Sequence, residues 1–286
     1  MPSQLNVACL QNCAGTDVQQ NLHDLRGMID TARADGAQLV CLPEYGTCLG
    51  VEGQEFIVGA TPEESHPALA FLADVAKETG VWILIGSMAV NAPGGKIVNR
   101  SLLLNDQGDV VARYDKIHLF DVDLANGETY RESATIQPGD QAVVADTPWG
   151  GIGLTVCYDV RFPPLYRSLA VGGAGIITVP AAFARTTGEA HWHVLLRSRA
   201  IETGCFIIAP CQTGLHGTSD SYGHSLIIDP WGNVLADAGR DPGIVSATLD
   251  LSLIEKCRGM VPALQHYRPY REVSEDLANN AGQAAE

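Results

Sequence analysis

Apolar segments of strand length alternate with segments of helical period along nearly the whole chain. Leu5 to Leu10 is apolar except at Asn6, long enough for a buried strand and too short for a helix. Asp17 then precedes a helical pattern that runs through Asp35, with an N-cap side chain at one end and Gly36 to stop it at the other. Gln38 to Leu42 predicts a second strand. A helix follows over 67–79, where Ala68, Leu69, Leu72, Val75 and Ala76 recur at helical spacing, Pro67 opens the first turn and Gly80 closes the last. Beyond it come strands at Val81 to Ile85, Val98 to Leu104 and Val110 to Tyr114, the last two joined by Asn105, Asp106, Gln107 and Gly108, which is turn chemistry for a hairpin.

The second half repeats the style. Strands are predicted at Gly151 to Val156, Ile176 to Val179, Phe206 to Ala209, Leu226 to Asp229 and Ile244 to Leu249, with helices at Pro164 to Val171 and His191 to Thr203 and a turn over Pro230 to Asn233. Crossover connections mixed with hairpins imply an α/β protein with mixed sheets and helices on their faces, not a purely parallel barrel. No Ser/Gly/Pro linker, charge block or internal repeat divides the chain, so one domain is expected over residues 1–272. Residues 273–286 are polar and small, a tail expected to fray or to lie against a partner subunit.

Composition removes several function classes. With 286 residues, 46% of them hydrophobic and 18% charged, the chain can build a large core, which excludes a disordered protein. Its net charge of −15 repels phosphate backbones and anionic lipid surfaces, so neither nucleic acid nor membrane is an expected partner. A basic segment leading into an apolar run is missing from the start, and no apolar run approaches the ~20 residues that span a bilayer, so a cytoplasmic location is expected. The eight cysteines are scattered through apolar stretches without a CxxC pair, as befits reduced thiols. His191 and His193, two apart on a helix, point in different directions, and no metal site is expected.

Three chemically competent residues each stand just past a strong strand: Glu44, Lys116 and Cys157. Taken singly, a cysteine there is more often a small buried hydrophobe, and a Glu or Lys more often a rim charge. Taken together they make an acyl-transfer set. Glu44 could accept the thiol proton, Lys116 could hold the carboxylate and the oxyanion that forms on attack, and the Tyr158 N–H, at a sharp strand exit, could be a second oxyanion donor. Arg161, four residues past the cysteine, could present a guanidinium to a substrate carboxylate, or could pair with Asp159. Phe183 and Thr187 follow the next strand and could line the same pocket. His118 reads as a hydrogen-bonded packing residue, Cys9, Cys41, Cys205 and Cys211 as inert thiols, and Trp192 and Trp231 as core or subunit contact.

The segments Leu42-Pro43-Glu44-Tyr45, Tyr114-Asp115-Lys116-Ile117-His118-Leu119-Phe120 and Val156-Cys157-Tyr158-Asp159-Val160-Arg161-Phe162-Pro163 resemble the three signature segments of the nitrilase superfamily of carbon-nitrogen hydrolases, in the family's order. The resemblance extends to about Tyr270. It implies a four-layer αββα sandwich of two mixed sheets, with Glu44 as general base, Lys116 as oxyanion stabiliser and Cys157 as nucleophile. It also implies a second glutamate that orients the lysine. Tyr130-Arg131-Glu132-Ser133, followed by Gln137-Pro138-Gly139, matches that place better than the nearby Glu128 does.

Within the superfamily, the stretch from Ala181 to Trp192, the run Ser221-Tyr222-Gly223-His224-Ser225 and Asp229-Pro230-Trp231-Gly232 resemble the Nit branch. The resemblance therefore implies a cofactor-independent amidase that cleaves a small carboxylate-bearing amide through a thioester, with deaminated glutathione the first candidate substrate. An omega-amidase on 2-oxoglutaramate or 2-oxosuccinamate comes next, then an N-carbamoyl amidohydrolase or a nitrilase; a binding module that kept the fold is the non-enzymatic alternative. A homodimer or higher homo-oligomer is implied as well, with the 262–270 stretch as a tail contact.

Overall fold

In the computed structural model, which describes residues 2–52, 55–124, 127 and 129–271, two six-stranded sheets lie face to face with helices on both outer sides. The first half runs through β1 (Gln4–Gln11), α1 (Val18–Ala34), β2 (Leu39–Cys41), β3 (Gly50–Glu52), β4 (Glu55–Ile57), α2 (Pro67–Thr79), β5 (Trp82–Asn91), β6 (Ile97–Leu104) and β7 (Val110–Asp115). Then come β8 (Asp121–Asp123), β9 (Thr129–Arg131), β10 (Val143–Thr147), β11 (Gly150–Leu154), α3 (Pro163–Val171), β12 (Ala174–Thr178) and α4 (Arg185–Thr203). The chain ends through β13 (Phe206–Ala209), β14 (Thr213–His216), β15 (Ser219–Tyr222), β16 (Leu226–Ile228), β17 (Val234–Asp237), β18 (Gly243–Asp250) and α5 (Ser252–Met260).

One sheet has the order β18-β1-β2-β5-β6-β7 and the other β10-β11-β12-β13-β16-β17, each with a parallel centre and antiparallel flanks. The two-residue period of β1 explains the layering. Leu5, Val7 and Cys9 point between the sheets and join one cluster with Ile152, Leu154 and Ile176, while Ala8 and Leu10 point the other way, into a cluster with Leu22, Leu25 and Ile29 of α1 and Leu72 and Val75 of α2. Each such Leu or Ile contributes about 1.5–3 kcal/mol on burial, so a one-residue slip of β1 would exchange two apolar sets and is strongly disfavoured. α3 and α4 cover the far side of the second sheet through Leu169, Trp192, Leu196 and Ala200. The order is thus helices, sheet, sheet, helices.

Helix ends follow their local chemistry. Asp17 accepts from the N–H groups of Gln19 and Gln20 at 3.0 and 3.1 Å, and α2 occupies residues 67–79 with Gly80 left-handed behind it. Several strands depart from the sequence reading. β5 does not end at Ile85 but bulges and continues to Asn91; at Gly86 a Cβ would sit 1.9 Å from the Leu42 carbonyl oxygen, so the strand needs a glycine there. α4 begins at Arg185, a full turn and a half before His191, because its first turn is polar and Gly188 lies flat beneath the Tyr222 ring, where a Cβ would come within 2.4 Å. The Pro230–Asn233 turn leads into β17, a half-exposed strand with no clear alternation, and β18 crosses to the other sheet beside β1. β10, β14, β15 and α5 were equally silent in the pattern. Glu128 and the 273–286 tail lie outside the described residues.

Candidate active site

The exits of β2, β7 and β11 converge at one end of the sandwich, and a short turn after β9 brings in a fourth residue. Lys116 Nζ lies 2.9 Å from Glu44 Oε1 and 2.9 and 2.8 Å from the two oxygens of Glu132. All three side chains are buried, with Cys157 beside them. A buried ion cluster is tolerated only when its remaining lone pairs are also filled. Here the N–H of Ala182 donates to Glu44 Oε2 at 2.8 Å and that of Phe120 to Glu132 Oε2 at 2.7 Å, while Asn99 Nδ2 donates to Glu44 Oε1 at 2.9 Å.

The nucleophile candidate sits on a strained turn. Val156 is extended, and Cys157 then adopts φ +48°, a left-handed conformation that costs a non-glycine residue on the order of 1–3 kcal/mol. Asp159 holds that turn. Its buried carboxylate accepts the Val156 N–H at 2.8 Å, the Tyr114 hydroxyl at 2.7 Å and the His118 N–H at 3.0 Å, with the His118 ring nitrogen a further 2.7 Å contact. One side chain therefore ties the segment bearing Lys116 to the segment bearing Cys157. His118 is thereby engaged in packing, its ring stacked on Phe162 at 3.6 Å. The Val160 carbonyl is fixed by the buried Arg199 at 2.8 Å.

Electrostatics divide the roles. Burial would push the Lys116 ammonium down, but Glu132 and Glu44 outweigh it and hold its pKa well above the usual value, so it stays charged. Burial, together with the Glu44 charge, raises Glu132 despite Lys116. Burial first, then the Glu44 charge and a hydrogen bond to Glu44, push the Cys157 thiol far up. The resting sulfur is therefore a protonated thiol, and attack requires that its proton leave as the bond forms.

Above the cluster opens a cleft with Tyr158, Phe183 and Thr187 among its walls. Arg161 lies at its edge, its guanidinium 5.8 Å from the Tyr158 ring centroid and 5.3 Å from that of Phe183. The alternative pairing with Asp159 does not form, because the Asp159 oxygens are already filled; Arg161 makes no salt bridge among the described residues and meets His191 Nδ1 at 3.3 Å. Sequence reasoning missed Asn99 and the Ala182 and Phe120 amides. The only available signal was the polar interruption Asn99-Arg100-Ser101 inside an otherwise apolar strand.

The carbon-nitrogen hydrolase family model matches residues 6–259. The chain belongs to the carbon-nitrogen hydrolase family. It is an amide-hydrolysing, cysteine-dependent enzyme of the nitrilase superfamily, with that superfamily's four-layer architecture. It is 43% identical over 270 residues to the deaminated glutathione amidase of Yersinia enterocolitica, covering 92% of this chain and 93% of that protein. The crystal structure of the C. elegans NitFhit protein superposes with a TM-score of 0.84 at 31% identity, covering 93% of this chain and 65% of that one. An amidase mutant from Nesterenkonia sp. AN1, 26% identical with a TM-score of 0.76 over 97% of each chain, carries the acetamide moiety of fluoroacetamide covalently added at its active-site cysteine. That structure places covalent capture at a cysteine in this fold; here the Cys157 thiol stands beside a buried carboxylate and a buried ammonium.

Proposed function

We propose that this hydrolase cleaves the amide bond of deaminated glutathione, with Cys157 as nucleophile. The observation that carries the chemistry is the closed Glu44–Lys116–Glu132 cluster against the Cys157 thiol. As the sulfur attacks the amide carbon, its proton passes to Glu44, and the oxyanion rests on Lys116 Nζ and the Tyr158 N–H. The tetrahedral adduct collapses, the C–N bond breaks, and the leaving amine departs with the proton from Glu44. Water then attacks the thioester while Glu44 takes its proton, and the acid leaves as the thiol is restored. Glu132 keeps Lys116 aimed at the oxyanion position.

Two features support an acidic substrate longer than a simple omega-amide. Arg161, unpaired by carboxylates among the described residues, stands over the aromatic wall at the cleft edge and suits a terminal carboxylate. The cleft has hydroxyls of Thr187, Ser219 and Ser221 along it for a peptide-like arm. A homodimer through the outer face of α3 and α4 is part of the same reading, supported by exposed Val171, Val194, Ile201 and Trp231. Eight unpaired cysteines support a cytoplasmic location.

The test compares 2-oxoglutarate formation from deaminated glutathione and from 2-oxoglutaramate, with Cys157→Ala as the blank. Faster turnover of the former is expected. Preference for 2-oxoglutaramate would make the enzyme an omega-amidase, and turnover by Cys157→Ala would refute the nucleophile.

A further inference from the structure

Asn99 of β6 has no exposed surface and lies between the two carboxylates of the site. Its Nδ2 donates to Glu44 Oε1 at 2.9 Å and reaches Glu132 Oε1 at 3.4 Å, and its backbone carbonyl accepts the Lys116 N–H at 2.9 Å. One residue thus contacts all three members of the charged cluster. The orientation of the amide is forced, because ionised carboxylates only accept and the nitrogen must face them. Its Oδ1 is left buried without a partner among the described residues. An unfilled buried acceptor is a liability that an apolar residue of similar size would avoid, so its presence calls for a role other than packing.

We propose that Asn99 is a positioning residue that occupies Oε1 of Glu44 and so directs the thiol proton to Glu44 Oε2. Oε1 of Glu44 accepts from two donors, Lys116 and Asn99, whereas Oε2 accepts the Ala182 N–H and has a lone pair left for the thiol, which hydrogen-bonds to this carboxylate. The groups that face Glu44 are Lys116, Glu132, Cys157, Tyr45 and Cys211. Burial raises Tyr45 far above its ordinary range and pushes Cys211 up to about 12, so neither supplies a charge near neutrality. Losing the Asn99 donor opens Oε1 to the thiol proton and leaves Glu44 free to turn, so the proton transfer slows while substrate binding is kept.

This inference rests on Glu44 as the base, and the experiment separates the two. kcat and KM are measured for the wild type, Asn99→Ala, Asn99→Ser, Asn99→Asp and Glu44→Gln, with the melting temperature of each recorded. Asn99→Ala is expected to lose about 10- to 100-fold in kcat with KM nearly kept, since a hydrogen bond to a charged group is worth about that factor. Asn99→Ser supplies the same readout if the alanine variant does not fold. Asn99→Asp, equal in volume but acidic, is expected to lose most. An unchanged kcat in a folded alanine or serine variant, a loss confined to KM, or an aspartate variant as active as the wild type, overturns the inference while leaving the function intact. Turnover by Glu44→Gln overturns both.

Discussion

Replacing Lys116 by methionine is the sharpest probe of the buried cluster, because it keeps most of the volume and removes the one cation. In the wild type, Lys116 donates to both carboxylates within 2.9 Å, and lysine and glutamates alike are nearly free of solvent. Methionine would leave Glu44 and Glu132 facing each other with only amide donors from Asn99, Ala182 and Phe120. Breaking a buried pair on one side costs about 3–5 kcal/mol, which for a chain of this size lowers the melting temperature by roughly 6–15 °C near pH 8. The sign of the pH dependence follows from the carboxylates. Glu132 is already raised in the folded state by burial and the Glu44 charge, and removing Lys116 raises it further. A carboxyl whose folded pKa exceeds its unfolded one destabilises the protein above the folded value, and that penalty fades as pH falls toward the unfolded value near 4.3. Thermal melts followed by circular dichroism at pH 8 and pH 5.5 should therefore show a large gap between wild type and Lys116→Met at pH 8 and a smaller one at pH 5.5. A gap under 2 °C at pH 8, or one that widens in acid, would refute the reasoning.

Other outcomes follow from single contacts. Arg161→Ala should raise KM for a carboxylate-bearing amide about 10- to 100-fold while kcat is nearly kept, as fits a guanidinium that binds without touching the reacting atoms; an unchanged KM in steady-state kinetics removes Arg161 from substrate recognition. Gly86→Ala should cost at least about 4 kcal/mol, because its Cβ would lie 1.9 Å from the Leu42 carbonyl oxygen on the segment leading to Glu44. A melting temperature within 3 °C of the wild type would contradict that contact.

How much of this was legible depended on the range of the forces involved. Asp17, Pro67, Gly80 and the Asn105–Gly108 turn act on backbone groups a few residues away, so the helix over 67–79 and the β6–β7 hairpin could be read directly. The placement of Glu44, Lys116 and Cys157 after strong strands, within recognisable segments, marked the site for the same reason: each segment carries its own local context. Other features obey contacts between distant segments. Gly86 looks like a strand end and is a strand interior, because only the approach of the Leu42 carbonyl reveals why the side chain is missing. The opening turn of α4 has little apolar period, since a glycine under the Tyr222 ring does its packing. Arg161 and Asp159 sit two apart and look like partners, yet Asp159 is filled by Tyr114 and His118 from the other sheet's segment and by the local Val156 N–H. Asn99 shows no motif at all; its meaning exists only where β6 passes between Glu44 and Glu132. The chain alone therefore determined its local elements and the residue types capable of chemistry. The tertiary structure decided which of them meet, because hydrogen bonds and ion pairs act over about 3 Å of space, and the Ala182 amide lies 138 positions along the chain from the Glu44 carboxylate it donates to.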